Sequence, residues 1–268
     1  MKNLPQIAKK LRADIVKMLY ASQSGHPGPS LSCIDILIQI YFGGFLKYDS
    51  ENANWNERDY LILSKGHAAP ALYTVLAEAG FFEKDHLFNL RQTDALLQGH
   101  PKNDIRGVEV CTGSLGQGLS VATGLAMGLK IDNKPNKVFS LHGDGELQEG
   151  QIWEAVMTAH KYKLGNLVSI IDRNGLQIDG TTKEICDFGD VAEKFESFGW
   201  YTLECDGHDF DELSETLEEA IEVQDQPVCV VAHTIKGKGV SFMENQVGWH
   251  GKAPNQEQFE QAMSELEI

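Results

Sequence analysis

The stretch VFSLHGDGELQEGQIWEA (138–155) reads in succession as a buried strand, a loop and a helix. Its apolar run stops at Leu141, His142-Gly143-Asp144-Gly145 follows, and apolar residues return at helical spacing from Ile152. Asp144 therefore stands where a strand ends. Gly-Asp-Gly suits a tight turn, because glycine accepts positive φ and Asp bonds its own backbone. It suits equally well a carboxylate delivered to a ligand, and the rest of the chain has to decide between the two.

Outward from this unit the same alternation recurs. Residues 60–63, 167–172, 200–204 and 228–232 are further strand candidates, separated by helical stretches such as 152–162, 191–198 and 211–222. Toward the N-terminus Ile7, Leu11, Ile15, Met18 and Leu19 recur at helical spacing. That helix must stop before SGHPGPS, where glycine and proline crowd a loop around His26, and a second helix is expected from about Ser32. DYLILSKGH ends a strand at His67, and a glycine-rich turn, 113–118, precedes a small-residue helix. The alternation predicts an α/β fold, a mostly parallel sheet with helices on both faces. Residues 1–268 read as a single domain with a less regular tail from about residue 237.

The 268 residues are 42% apolar and 9% aromatic, enough for a well-buried core. The 39 acidic against 23 basic residues give a formal charge of −16, which excludes nucleic acid and an anionic membrane surface as partners. A phosphate ligand must then be held locally, by backbone N–H groups, histidines and a metal. Five widely spaced cysteines with no Cys-x-x-Cys read as reduced thiols. The first twenty residues show no signal-type apolar region, and no apolar run reaches the roughly 18 residues that span a bilayer. A cytoplasmic protein is expected.

In an open parallel sheet, ligands collect outside the carboxyl ends of the strands. Asp144 occupies that position after one strand and Asn174, in IIDRNGLQIDG, after the next. The 28 residues between Gly145 and Asn174 suffice for a crossover helix and a strand, so neighbouring strands would bring the two side chains together. With the backbone carbonyl of Leu176 they are hard oxygen ligands, too few alone for a tight cage. Magnesium shared with a diphosphate fits that deficit.

Asp144 and Asn174 at this spacing resemble the thiamine diphosphate motif, and GDGELQEG and GSLGQG resemble the transketolase family in particular. The resemblance runs over essentially the whole chain. It implies the pyrophosphate-type thiamine diphosphate-binding fold, with thiamine diphosphate and Mg2+ (or Ca2+ or Mn2+) as cofactors. It assigns the metal to Asp144, Asn174 and Leu176, and the cofactor to His67, Gly113, Ser114, Leu115, Gly145, Glu149, Asn174 and His250. His26, His67, His100 and His250, in SGHPG, SKGHA, QGHP and WHG, resemble the segments that bring imidazole to cofactor and sugar. By that resemblance His26 and His250 meet the reacting hydroxyls of a ketose donor and take up the proton released on cleavage, while His100 reads its terminal hydroxyl. Imidazole is suited to both tasks near neutral pH. His86, His142, His160, His208 and His233 read as structural. Glu149 and Glu154 resemble acids that link two cofactors across a dimer interface, and the helix 151–162 that carries Glu154 is placed either there or against the sheet.

A full-length member of the family would continue into a pyrimidine-binding and a C-terminal domain, so the resemblance implies a partner polypeptide that supplies them. It further implies a homodimer of this chain within a heterotetramer, and a transferase that moves a two-carbon ketol unit between sugar phosphates but is inactive without its partner. Two other readings keep the cofactor: a specialised transketolase for sulfo-sugars, branched sugars or secondary metabolites, and the α subunit of a 2-oxo acid dehydrogenase. The four histidines weigh against a simple oxo-acid decarboxylase, whose donor lacks the hydroxyls. Intact Asp144, Asn174 and histidine motifs weigh against a non-catalytic paralogue. The largest opening of the molecule is expected at the carboxyl edge of the sheet, beside His26, His67 and the 113–115 turn.

Overall fold

The computed structural model describes residues 3–266. Five strands form one sheet: β1 (Tyr60–Leu63), β2 (Val138–Gly143), β3 (Leu167–Arg173), β4 (Tyr201–Asp206) and β5 (Val228–His233). All pairs are parallel, in the spatial order β1-β2-β3-β5-β4. β2, β3 and β5 are central and buried almost throughout, which accounts for their continuous apolar runs.

Alternate residues of each strand feed two cores. Phe139, Leu141, Val168, Ile170, Val228 and Val230 face one layer of helices: α1 (Leu4–Ser22), α2 (Pro27–Phe42), α3 (Ala69–Glu78), α8 (Phe210–Glu222) and α9 (Gln256–Glu265). Val138, Leu167, Ile171, Cys229 and Val231 face the other, made by α4 (Gln117–Ile131), α5 (Gly150–Lys161) and α7 (Val191–Ser197). A short α6 (Thr182–Cys186) stands in the β3–β4 connection. That connection passes over one strand position, and α8 carries the chain back from β4 to β5 on the opposite face, as right-handed crossovers require. The insertion of β5 between β3 and β4 is invisible in the sequence, since apolar alternation says nothing about which strand neighbours which.

The helix expected from about Ser32 begins five residues earlier, at Pro27, with His26 at its N-cap. Proline is at home there, because the first helical N–H has no intrahelical partner to lose. Every residue of α2 from Pro27 to Tyr41 is buried, so its position is fixed by packing on all sides. This places His26 at the end of a rigid element. After β5 the chain runs from Thr234 to Asn255 with only a single 3-10 turn, Val247–Trp249, before α9.

Candidate active site

Asp144 is the first residue after β2 and Asn174 the first after β3, and the two strands are neighbours in register. Both side chains line one cleft of about 190 Å³ at the carboxyl edge, together with His26, His67, His100 and His250. Gly113, Leu115, Gly145 and Leu176 complete the expected lining. The cleft is not the largest opening. A hollow of about 550 Å³ lies between the start of α1, the end of α2 and the start of α8, and it holds none of these groups. Ser114, Glu149 and Glu154 are exposed and stand outside the cleft lining.

Three imidazoles meet face and edge. The ring centroids of His67 and His250 are 5.1 Å apart and nearly stacked, and His26 is 5.3 Å from the first and 5.7 Å from the second. They come from three segments: the α2 N-cap, the turn after β1 and the tail after β5. Gly28 permits this crossing, since a Cβ there would meet the Trp249 carbonyl at 2.8 Å. His100 packs on Gly113, where a Cβ would meet the ring at 3.0 Å and where a φ of +148° strains any side chain.

Burial holds all four imidazoles neutral. It pushes His26 down to about 4, reinforced by the charge of Arg91, and His250 down to about 3, reinforced by Lys236. His67 falls well below the usual histidine range through burial and the charge of Lys65, and His100 is lowered by burial and Arg91. The cleft therefore presents uncharged imidazoles, which can accept as well as donate at neutral pH.

Beneath them lies a polar network that no sequence motif announces. Asp172, fully buried at the end of β3, accepts from Ser32 Oγ at 2.5 Å, from Lys65 Nζ and Thr234 Oγ1, and from Asn174 Nδ2 at 3.4 Å. Lys65 also donates to the Pro29 carbonyl at 3.1 Å. Burial alone would discharge Lys65, but the Asp172 carboxylate overrides it and raises the ammonium's affinity for its proton. Lys236 is buried too, 2.9 Å from His250 Nδ1 and 3.4 Å from the Gln177 carbonyl. Burial and the neighbouring charge of Lys65 lower it to about 8. Glu146 is a further buried carboxylate at the cleft wall. Lys65 lies within SKGH, whose histidine is the more conspicuous residue, and Asp172 reads as the last residue of a strand. Only the fold reveals that their hydrogen bonds converge.

The donors at Asp144 suit a hard cation. Its Oδ1 accepts from the Gly145 N–H at 2.8 Å, and its Oδ2 from the Gly175 N–H at 2.5 Å and Arg173 Nη1 at 3.2 Å. Asn174 Oδ1 accepts one bond, from the Leu176 N–H at 3.1 Å. A carboxylate has about four acceptor sites and an amide oxygen two, so each retains a lone pair. Burial, then the nearby Asp172, raises the Asp144 carboxyl above its usual range, which a cation would reverse. No cluster of three or more His, Cys, Asp or Glu side chains able to hold a metal exists among the described residues. A cation here would thus need further ligands from backbone carbonyls, water or a bound anion.

Residues 4–267 match the family model for the transketolase thiamine diphosphate binding domain. The chain belongs to the transketolase family. It is 39% identical to an apulose-4-phosphate transketolase subunit of Phocaeicola vulgatus, over 97% of this chain and 92% of that one. It is 40% identical to a 6-deoxy-6-sulfo-D-fructose transketolase subunit of a Clostridium, over 98% and 97%. Against the human transketolase the identity is 38%, over 98% of this chain but 42% of that one. The crystal structure of the Campylobacter jejuni transketolase superposes with a TM-score of 0.94 at 33% identity, covering 100% of this chain and 43% of the other. A transketolase-type transferase, with a fold for thiamine diphosphate, is thereby established. Among the described residues no helix is long and apolar enough to cross a membrane, and all five cysteines are free.

Proposed function

We propose that this chain is the diphosphate-binding subunit of a two-polypeptide transketolase, and that it transfers a two-carbon ketol unit from a ketose phosphate donor to an aldose phosphate acceptor in the cytoplasm. The observation that carries this reading is the convergence of Asp144, Asn174 and four neutral histidines in one cleft. Relatives of matching length are subunits by name, which supports a partner polypeptide bringing the pyrimidine-binding and C-terminal domains.

Asp144, Asn174 and the Leu176 carbonyl would hold Mg2+ or a similar divalent cation, with the cofactor's diphosphate completing its shell. His67, the 113–115 turn and Gly145 would border the cofactor, and Lys236 would meet the diphosphate's negative charge. When bound, thiamine diphosphate supplies the electron sink for carbon–carbon cleavage. This chain's own groups handle the protons. The Lys236 ammonium at His250 Nδ1 favours the tautomer with its proton on Nε2, so His250 donates to a sugar hydroxyl. His26, neutral and in the cleft lining, would take up the hydroxyl proton released on cleavage. His100 orients the donor's terminal hydroxyl.

Glu149 and Glu154 belong on this reading to the contact between two copies of the chain. In support, α4 exposes Val121, Gly124 and Gly128 while α5 exposes Glu154 and Met157. A second reading, a specialised sugar donor, is favoured by the full-length match to apulose-4-phosphate and sulfo-sugar transketolase subunits. The test is a ketol-transfer assay of this chain mixed with its partner polypeptide, over a panel of pentulose, branched and sulfo-sugar donors, each with and without Mg2+. Metal-dependent transfer from one donor class is expected, and Asp144→Ala should abolish both transfer and calorimetric binding of the cofactor. Unchanged cofactor affinity in Asp144→Ala would remove the metal assignment.

A further inference from the structure

Glu146 is 2% exposed and carries no assigned role. Its Oε1 accepts from Ser64 Oγ and from the Gly116 N–H at 2.8 Å, and its Oε2 from the Gly143 N–H at 3.2 Å. His142 Nδ1 lies 3.7 Å from Oε2, beyond hydrogen-bond distance. The three donors belong to three different segments. Ser64 follows β1, Gly143 ends β2 immediately before Asp144, and Gly116 is the N-cap of α4 directly after the 113–115 turn.

These segments are also drawn into close contact by glycine. A Cβ on Gly66 would meet the Gly113 nitrogen and Thr112 Oγ1, each at 2.8 Å, and one on Gly118 would meet Ser64 Cα at 2.8 Å. Packing therefore presses the turn after β1 against the 112–118 segment, and Gly116 against Glu149 at the far end of the Asp144 loop, where a Cβ would meet Glu149 Cβ at 2.9 Å, but it does not join all three segments at one point. Glu146 does so, and its charge also sits at the positive end of α4, where it is stabilised.

We propose that Glu146 is a positioning residue that fixes the separation of the two cleft walls, the Asp144 loop and the 113–115 turn, by holding both on one buried carboxylate. The proposal rests on the cofactor reading above for its consequence, but the geometry it describes exists in the free chain. All three partners are donors in this arrangement. A glutamine at this position would keep the size and replace one acceptor with a donor, so one wall would lose its tether without a change in packing.

The test uses Glu146→Gln and, as a second variant that removes only one donor, Ser64→Ala. Hydrogen exchange of the full chain is measured first. Amides of the 112–118 segment and of 143–146 should exchange about tenfold faster in Glu146→Gln, the order expected for losing a bond to a charged acceptor, with β3 and β5 unchanged. Ser64→Ala should show the same pattern more weakly. Exchange equal to the original chain in both variants, or acceleration spread evenly over the sheet, would overturn the proposal. In the mixture with the partner polypeptide, Glu146→Gln should raise the thiamine diphosphate KM about tenfold, while kcat at saturating cofactor falls far less. A proportional loss in kcat with no change in cofactor KM would equally overturn it. Failure of the unmodified mixture to bind thiamine diphosphate would instead strike the cofactor reading, and the exchange measurement would still decide the role of Glu146.

Discussion

Asp172 and Lys65 form an ion pair with neither side chain more than 1% exposed, and the consequence of breaking it is asymmetric. Asp172→Ala leaves an ammonium buried with only the Pro29 carbonyl for a partner, so a loss of about 3–5 kcal/mol in urea unfolding is expected. Adding Lys65→Met to that variant should restore much of it, and strictly additive losses would show that the pair is not coupled. Lys236 has the opposite effect on stability. Its folded pKa of about 8 lies below the ordinary 10.5, so between those values the unfolded chain binds more protons and stability rises with pH. Below pH 8 the penalty of the buried ammonium is present in full. Lys236→Met should therefore raise the melting temperature of the cofactor-free chain at pH 7, with the advantage shrinking as pH climbs from 8 toward 10.5, while weakening cofactor binding. A lower melting temperature at pH 7 would mean that the contacts to His250 and Gln177 outweigh burial. His26 makes no side-chain capping bond, so His26→Ala should change stability by only about 1 kcal/mol, through lost ring packing, while depressing ketol transfer far more. The histidines and the Asp144–Asn174 pair were legible because each sits in a short loop motif, with Asp144, Asn174 and His67 close behind strand ends. Lys65, Asp172, Lys236 and Glu146 were not, because a buried charge is recognised by its partners, and those come from segments as distant as Ser32 and Thr234.

At the scale of elements, β2 and β3 and the helix between them followed from the periodicity of the sequence, because strands buried on both faces leave short, largely apolar runs, broken here only by small or polar residues such as Ser140 and Ser169. The start of α2 did not, since Pro27 and Pro29 read as loop punctuation although proline is favoured in a first helical turn. The small residues of α4 divide into two sets that the sequence cannot separate. Gly118 touches Ser64, with a prospective Cβ only 2.5 Å from Ser64 Cβ, whereas Gly124 and Gly128 face open space. Gly118→Ala should thus cost about 1–3 kcal/mol through overpacking. Gly124→Ala should stabilise the free chain by roughly 0.5–1 kcal/mol, the ordinary gain for alanine inside a helix. If the exposed side of α4 is the contact between two copies, the same substitution should weaken self-association in sedimentation while the melting temperature rises. A variant that is both more stable and equally self-associating would move the dimer contact elsewhere on the surface.

For the whole molecule the deciding quantity is the cleft's size against that of its ligand. About 190 Å³ falls below the roughly 300–1,000 Å³ of pockets that bury a drug-sized molecule. The open side of the cleft carries Leu115 and Ile178, and Ile178 is 64% exposed, so apolar surface faces outward beside the Asp144 loop. A cofactor seated on Asp144 and Asn174 would have its diphosphate held and its ring half still wet. On the proposed function that half must be enclosed and polarised, and among the described residues the acids in the lining, Asp144 and Glu146, both sit in the β2 loop and not on the open side. On that proposal the enclosing wall comes from a second surface. Purified chain with thiamine diphosphate, Mg2+ and ketose donor is therefore expected to show negligible ketol transfer, and addition of the partner polypeptide should produce activity that saturates near equal amounts of the two chains. Cofactor should raise the melting temperature of the mixture much more than that of the chain alone, because only tightly bound ligand shifts the folding equilibrium. Ketol transfer by the isolated 268-residue chain at the rate of the mixture would mean that its own copies close the cleft.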